Sequence, residues 1–277
     1  MLRLSPERLL VSLAPGAVSW LKLAGHTPKV VARHTAQADP AYGQEPWQGA
    51  VAALRAAAET WRKDAVAVTI VLSNHFARYV LVPPGTGVSG TEEEHALARF
   101  YFSKVHGERS RAWDVRLGDA AGPDASRLAC AVDSTLLDAL RACFPPEGRP
   151  KLVSVQPLLM SAFNFWRREF PAGGAWFLLV EPERACLGLL SGQNWIAVQN
   201  AKGHFPDEQA WVDLLDRERW RTDLERVPDT VLVHAPSSSG APHVASGAWK
   251  LQRLQAALPA GLSPHSDSAY ATALTAT

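Results

Sequence analysis

Cysteine is scarce in this 277-residue chain, with three in all. Cys130, Cys143 and Cys186 show no C-x-x-C spacing, which excludes a disulfide framework or thiolate metal site and leaves reduced core residues of a cytosolic protein. An excess of charge of one sign is also missing, since 28 Lys and Arg meet 27 Asp and Glu. A protein that binds nucleic acid by neutralising phosphates carries a basic excess, so nucleic acid is not an expected partner. Long apolar runs are absent too. Ala65 to Leu72 falls far short of the roughly 20 residues of a membrane helix, and Met1 to Arg8 opens no signal-peptide core. What remains is a 47% hydrophobic sequence, able to bury a sizeable core as one large domain or two small ones. Composition indicates a soluble α/β protein and names no reaction.

The pattern along the chain is more informative. Arg8 to Leu13 and Ala17 to Leu23 read as a hairpin around Ala14-Pro15-Gly16. Lys29 to His34 is a third strand, and a helix opened by Pro46 runs to Trp61. The nearly all-apolar Ala65 to Leu72 is expected as a strand covered on both faces. Phe76 to Val82 is the next strand, stopped by Pro83-Pro84-Gly85. Thr91-Glu92-Glu93-Glu94 predicts a capping box with Thr91 as N-cap, opening a helix to about His106. Trp113 to Leu117 and Leu128 to Val132 are expected to pair, followed by a helix over Ser134 to Cys143. Then come a strand at Lys151 to Val155, a helix over Leu158 to Phe170, and strands at Trp176 to Val180, Ala185 to Leu190 and Trp195 to Gln199. A helix over Pro206 to Arg221, a strand at Thr230 to His234 and a helix over Ala245 to Leu258 complete the series. The order β-β-β-α-β thus occurs twice, which points to a duplicated fold.

Several chemical readings are weighed against plainer ones. Glu92, Glu93, Glu94 and His95 point in different directions on a helix and cannot converge on a metal. Ser73-Asn74-His75 follows a buried strand, where catalytic groups often lie, but no Gly-x-Ser-x-Gly elbow surrounds it. The nine histidines show no repeated ligand spacing, so no metal is expected. Cys130 and Cys186 are expected as small core residues, and Lys22, Arg33 and Arg78 as solvent-facing sheet residues. Trp211 and Trp220 are about 180° out of phase on one helix. Either one of them faces solvent or a partner, or each covers the core at a different edge, and the second is the expectation.

The element order resembles the actin-like ATPase superfamily, in which two β-β-β-α-β units form the molecule. Within it, Leu9 to Gly25 (LLVSLAPGAVSWLKLAG) resembles the start of GspL-type cytoplasmic domains of type II secretion. Val68 to Gly118, with its Leu81-Val82-Pro83-Pro84 corner and its Leu117-Gly118 end, is similar to GspL-type and to PilM-type pilus assembly proteins. So are Leu128 to Val132 and Val153 to Leu158. The resemblance covers about residues 8 to 250. It implies a first unit at 1–150 carrying an inserted subdomain at about 76–117, and a second unit at 151–277.

The resemblance also implies where nucleotide chemistry would lie. Active relatives carry Asp-x-Gly turns on the first hairpin of each unit. Here Ser12 stands where the Asp would be, Pro15 removes a backbone donor before Gly16, and Glu181-Pro182-Glu183 puts Glu183 in the glycine's place. A third, glycine-rich loop is echoed faintly by His234 to Gly240, with Ser238 and Gly240. These cleft positions (Ser12, Gly16, Glu181, Ser238 and Gly240) are therefore expected to have lost catalysis, with no cofactor bound; a nucleotide-binding ATPase with altered loops is the alternative. The implied role is a non-enzymatic scaffold, cytoplasmic and peripheral at the inner membrane through its partners. Those partners are a pilus or secretion assembly protein of the inner membrane, the assembly ATPase, or both. The expected docking surface is the insert, through Phe100, Tyr101 and Phe102, with packing of Phe102 beneath the Pro83-Pro84 corner as an equal alternative.

Overall fold

In the computed structural model, residues 7–84, 90–119, 121–122, 124–222, 224, 226–237, 243–263 and 267–277 are described. The elements run β1 (Arg8–Ala14), β2 (Ala17–Ala24), β3 (Lys29–Gln37), α1 (Gln48–Thr60), β4 (Ala67–Leu72), β5 (Ala77–Val82) and α2 (Thr91–His106). Next come β6 (Trp113–Leu117), β7 (Arg127–Asp133), α3 (Ser134–Cys143), β8 (Lys151–Pro157), α4 (Leu158–Trp166), β9 (Ala175–Glu181) and β10 (Arg184–Ser191). The chain ends with β11 (Asn194–Lys202), α5 (Glu208–Arg219), β12 (Thr230–His234), β13 (His243–Ser246), β14 (Trp249–Arg253) and α6 (Ala271–Leu274).

These elements form two compact units, and neither is contiguous in sequence. The first holds Met1–Phe76, Ser134–Phe165 and Ala256–Thr277, and the second Ala77–Asp133 and Trp166–Gln255. A single boundary near residue 150 is therefore not where the chain divides. β8 lies beyond that point, yet it pairs in parallel with β4 from Leu152 opposite Val68 to Pro157 opposite Leu72. The insert is also longer than 76–117 and groups with the second unit. β7 is the middle strand of its sheet, ordered β5-β7-β6, which carries the insert to Asp133.

In the first unit the sheet order is β3-β2-β1-β4-β8. β1 is bonded antiparallel to β2 and parallel to β4. Its Leu9, Leu10, Val11 and Leu13 are all buried, which is why this strand is a continuous apolar run and not an alternating one. On α1, Ala50, Leu54 and Ala58 recur every fourth residue and form its buried row. Gly49 precedes them because a Cβ there would lie 1.9 Å from the carbonyl oxygen of Asp39. The last residues return to this unit. Tyr270, Ala273 and Leu274 pack with Leu10, Leu21 and Leu23, and Arg33 donates to Asp267 at 2.9 Å and to the carbonyl of Gly261 at 2.6 Å.

The main sheet of the second unit is ordered β11-β10-β9-β12-β14-β13. Its first four strands repeat the β3-β2-β1-β4 order of the first unit, and β12 pairs parallel with β9 as β4 does with β1. The duplicated β-β-β-α-β fold expected from the sequence is therefore present. α5 is capped by Asp207, whose side chain accepts from the Ala210 N–H. Its buried face carries Trp211, Val212, Leu214 and Leu215. Three buried indoles in this core each place their N–H on an acceptor: Trp176 on the Pro228 carbonyl, Trp211 on that of Phe205, and Trp249 on the Asp216 carboxylate at 2.8 Å. α2 packs on the three-stranded sheet through Ala98 and Phe102, against Val80, Val82, Val115, Ala129 and Ala131.

Four local expectations are corrected. Residues 245–258 hold no helix, because β13 and β14 form a hairpin around Gly247-Ala248, with Gly247 at φ 60°. Buried Trp249 and Leu251 alternate with exposed Lys250, a period of two. Thr91 is not an N-cap: Gly90 caps α2 through its backbone carbonyl, and Thr91 is the first helical residue. The helix from Leu158 ends at Trp166 and tightens into a 3-10 turn. Trp220 covers no core edge, being 90% exposed while Trp211 is fully buried.

Candidate functional site

The hairpin turns singled out by the sequence lie at the ends of the central strands. In the first unit Ser12 is buried within β1, opposite Ser19, and the Pro15-Gly16 turn joins Ala14 to Ala17. The Gly16 carbonyl accepts from the Ala38 N–H at 3.0 Å. Nothing lies within 4 Å of where a Gly16 Cβ would sit, and its φ is not positive, so neither crowding nor backbone strain calls for glycine here.

The equivalent turn of the second unit is different. Glu181 ends β9 and pairs with Arg184, the first residue of β10. Pro182 fixes a negative φ, and Glu183 takes φ 57°, the left-handed value that glycine adopts freely and other residues adopt at a cost of about 1–2 kcal/mol. Glu183 is the only non-glycine residue with positive φ among the described residues. Its carbonyl accepts from the Gly203 N–H at 3.1 Å, and its exposed carboxylate lies 3.2 Å from His204 Nδ1. The backbone thus keeps a glycine-type turn while the side chain brings a carboxylate to it.

The third position begins at His234, the last residue of β12. The ring is buried beside Trp166, centroids 6.2 Å apart, and its Nε2 makes no hydrogen bond. Burial holds its pKa down to about 4. Ser238 and Gly240 lie outside the described residues. Ser12 and Gly16 belong to the first unit and Glu181 to the second.

Two other sequence-level candidates receive plain roles. Ser73 Oγ is 2.9 Å from His75 Nδ1, but it is buried and also accepts the backbone N–H of His75 at 3.1 Å. That is a local serine turn, closed by the Phe76 N–H on the Ser73 carbonyl. Cys130 and Cys186 are buried, and burial raises both thiols well above their ordinary pKa, so neither is a ready nucleophile.

On the insert the three aromatics separate. Phe102 is fully buried, its ring edge-on to Trp113, and so cannot act as a surface anchor. Phe100 is 59% exposed and edge-on to the half-buried Tyr101 at 5.7 Å, and Val105, near the helix end, is 64% exposed. Arg78 also departs from expectation, as a part-buried residue of β5 and not a solvent-facing one.

No protein-family model matches the sequence, and no curated protein matches it. Solved structures do. A Bacteroides thetaiotaomicron protein of unknown function with an actin-like ATPase fold matches with a TM-score of 0.57 at 9% identity, over 82% of this chain and 81% of that one. The fold is actin-like. The cytoplasmic domain of EpsL, an inner-membrane component of the type II secretion system of Vibrio cholerae, matches over 98% of this chain and 96% of its own, with a TM-score of 0.57 at 15% identity. The PilM-PilN type IV pilus biogenesis complex matches with a TM-score of 0.56 at 16% identity, over 82% and 80% of the two chains. Among the described residues, no helix of this actin-like chain is long and apolar enough to cross a membrane.

Two outcomes follow from the actin-like hairpins. Glu183→Gly should melt above Glu183→Ala, reversing the usual order, because alanine retains the left-handed strain that glycine relieves. Thermal unfolding reads the order, and alanine melting higher would mean the turn is not held at positive φ. A histidine whose folded pKa is depressed stabilises the fold above its unfolded pKa, near 6.5, and this contribution is lost as pH falls toward 4. His234 should therefore cost about 3 kcal/mol of stability across that window. In urea titrations at several pH values, His234→Phe should flatten this slope; an unchanged slope would reject the assignment.

Proposed function

We propose that the chain is a non-catalytic scaffold of a type IV pilus or type II secretion-like inner-membrane assembly complex. It sits on the cytoplasmic side and docks an inner-membrane assembly protein, the assembly ATPase, or both. Glu183 is the observation that carries the non-catalytic half of this reading. Its carboxylate stands on the turn where a phosphate would approach a glycine backbone, and Ser12 supplies no carboxylate for a metal at the first hairpin. The kind of machine is supported by the likeness to the EpsL cytoplasmic domain over nearly the full length of both chains, and to the PilM-PilN complex. Docking is assigned to the outer side of α2, where Phe100 is exposed beside Tyr101. An exposed aromatic at the surface is a frequent interface anchor.

A photoreactive amino acid in place of Phe100, in cells that carry the assembly machine, should cross-link to an inner-membrane assembly protein or to the assembly ATPase. Phe100→Asp should abolish co-purification of that protein while leaving the circular dichroism spectrum unchanged. A folded Phe100→Asp variant that keeps its partner would overturn the docking surface. In parallel, millimolar Mg-ATP should leave the melting temperature unchanged, whereas a ligand at a hundredfold excess over its Kd adds about 2.7 kcal/mol. A clear ATP-dependent rise would favour a nucleotide-binding protein instead.

A further inference from the structure

Residues four apart on a helix lie one above the other. On α2, Glu92, Ala96, Phe100 and Lys104 form such a row, and all four are exposed. The row runs opposite Ala98, which is buried at the middle of the helix. At about 100° per residue, Ala96 and Phe100 fall about 160° to either side of Ala98, and Glu92 and Lys104 about 120°. Glu94 is held by Arg127. Glu92 and Lys104 make no ion pair among the described residues.

This row is symmetric about Ala98 in position and opposite in charge at its two ends. A carboxylate stands at the start and an ammonium at the finish, with a small residue and a large aromatic between them. Turned end for end, the row is its own complement. Lys104 of one copy then meets Glu92 of the other, and the Phe100 ring meets Ala96, which has no atom beyond Cβ to obstruct it. Each contact occurs twice, as a two-fold interface requires. Rows of this spacing are also the ones that interdigitate in the commonest helix packing. Glu93 in the first half of the exposed side and Arg99 in the second repeat the polarity. An anionic membrane would attract one half of this face and repel the other, so the charge pattern fits a second copy better than a surface of one sign.

We infer that two copies of this chain associate through antiparallel α2 helices, with Phe100 on Ala96 and Lys104 beside Glu92 at both ends. The inference rests on the proposed reading of Phe100 as an interface anchor, and gives that anchor a different occupant. An assembly protein docking at Phe100 therefore has to displace the second copy. A single helix face falls short of the roughly 1,200 Å² of a stable interface, so the pair is weak, with a Kd on the order of 0.1 mM.

The test is sedimentation equilibrium of the whole chain across a range of concentrations around that value. The wild type should show a monomer–dimer equilibrium that weakens as salt is added. Glu92→Lys leaves a row with lysine at both ends, and Lys104→Glu a row with glutamate at both ends. Each variant alone, folded by circular dichroism, should associate about tenfold more weakly than the wild type. An equimolar mixture of the two should associate as the wild type does, because their rows are complementary; a folding defect could not produce that recovery. Phe100→Asp should abolish association. A wild type that is monomeric throughout, or single-charge variants that dimerise normally, would overturn the pairing. A monomer whose Phe100 photo-cross-links to an assembly protein would overturn the pairing and leave the docking reading standing. A dimer whose Phe100 cross-links only to a second copy would support the pairing and overturn the docking reading.

Discussion

Both units depend on a strand that is hydrogen-bonded on its two sides, antiparallel to the strand that follows it and parallel to one that arrives after a helix. β1 and β9 hold this position. A parallel neighbour cannot be reached by a tight turn, so a crossover is obligatory, and α1 and α5 are the helices of those crossovers. A strand between two others and covered on both faces must be apolar almost throughout. Leu9 to Leu13 and Ala175 to Leu179 satisfy this, with Ser12 the buried exception. The hairpin turns then project from the ends of the two most constrained strands, where small changes of residue alter chemistry without altering the frame.

Such separability is visible at Glu183. The backbone there holds a conformation suited to glycine, although the residue is one that tolerates it poorly. The surrounding register, with Glu181 opposite Arg184 and the Gly203 N–H on the Glu183 carbonyl, over-determines the turn. The left-handed turn is therefore held by its neighbours, whichever residue stands on it.

The strands and most helices were legible in the sequence because their periodicities are strong. The apolar runs of β1, β4 and β9 and the fourth-residue row of α1 leave little choice. Assignment of strands to units was not legible, since β8 and the residues from Ala256 onward are placed by pairing and burial far away in sequence. The β13–β14 hairpin was misread as helical, although Gly247-Ala248 before the alternating Trp249, Lys250 and Leu251 carries a turn and a period of two. At the candidate site, Glu183 was identifiable from its position in the hairpin. Trp220 was read the wrong way because phase on a helix cannot say where the sheet ends.

The return of the final residues to the first unit bears on how the chain is made. A ribosome delivers the N-terminal side first, yet Leu10, Leu21 and Leu23 receive their cover from Tyr270, Ala273 and Leu274 only after every residue of the second unit has been made. The second unit has all of its residues by Gln255, before the first has its last segment. Domains of multidomain chains usually complete in the order of their emergence. Here the unit that begins first is finished after the other, so part of its apolar surface stays open to water or to chaperones while the second unit is being made.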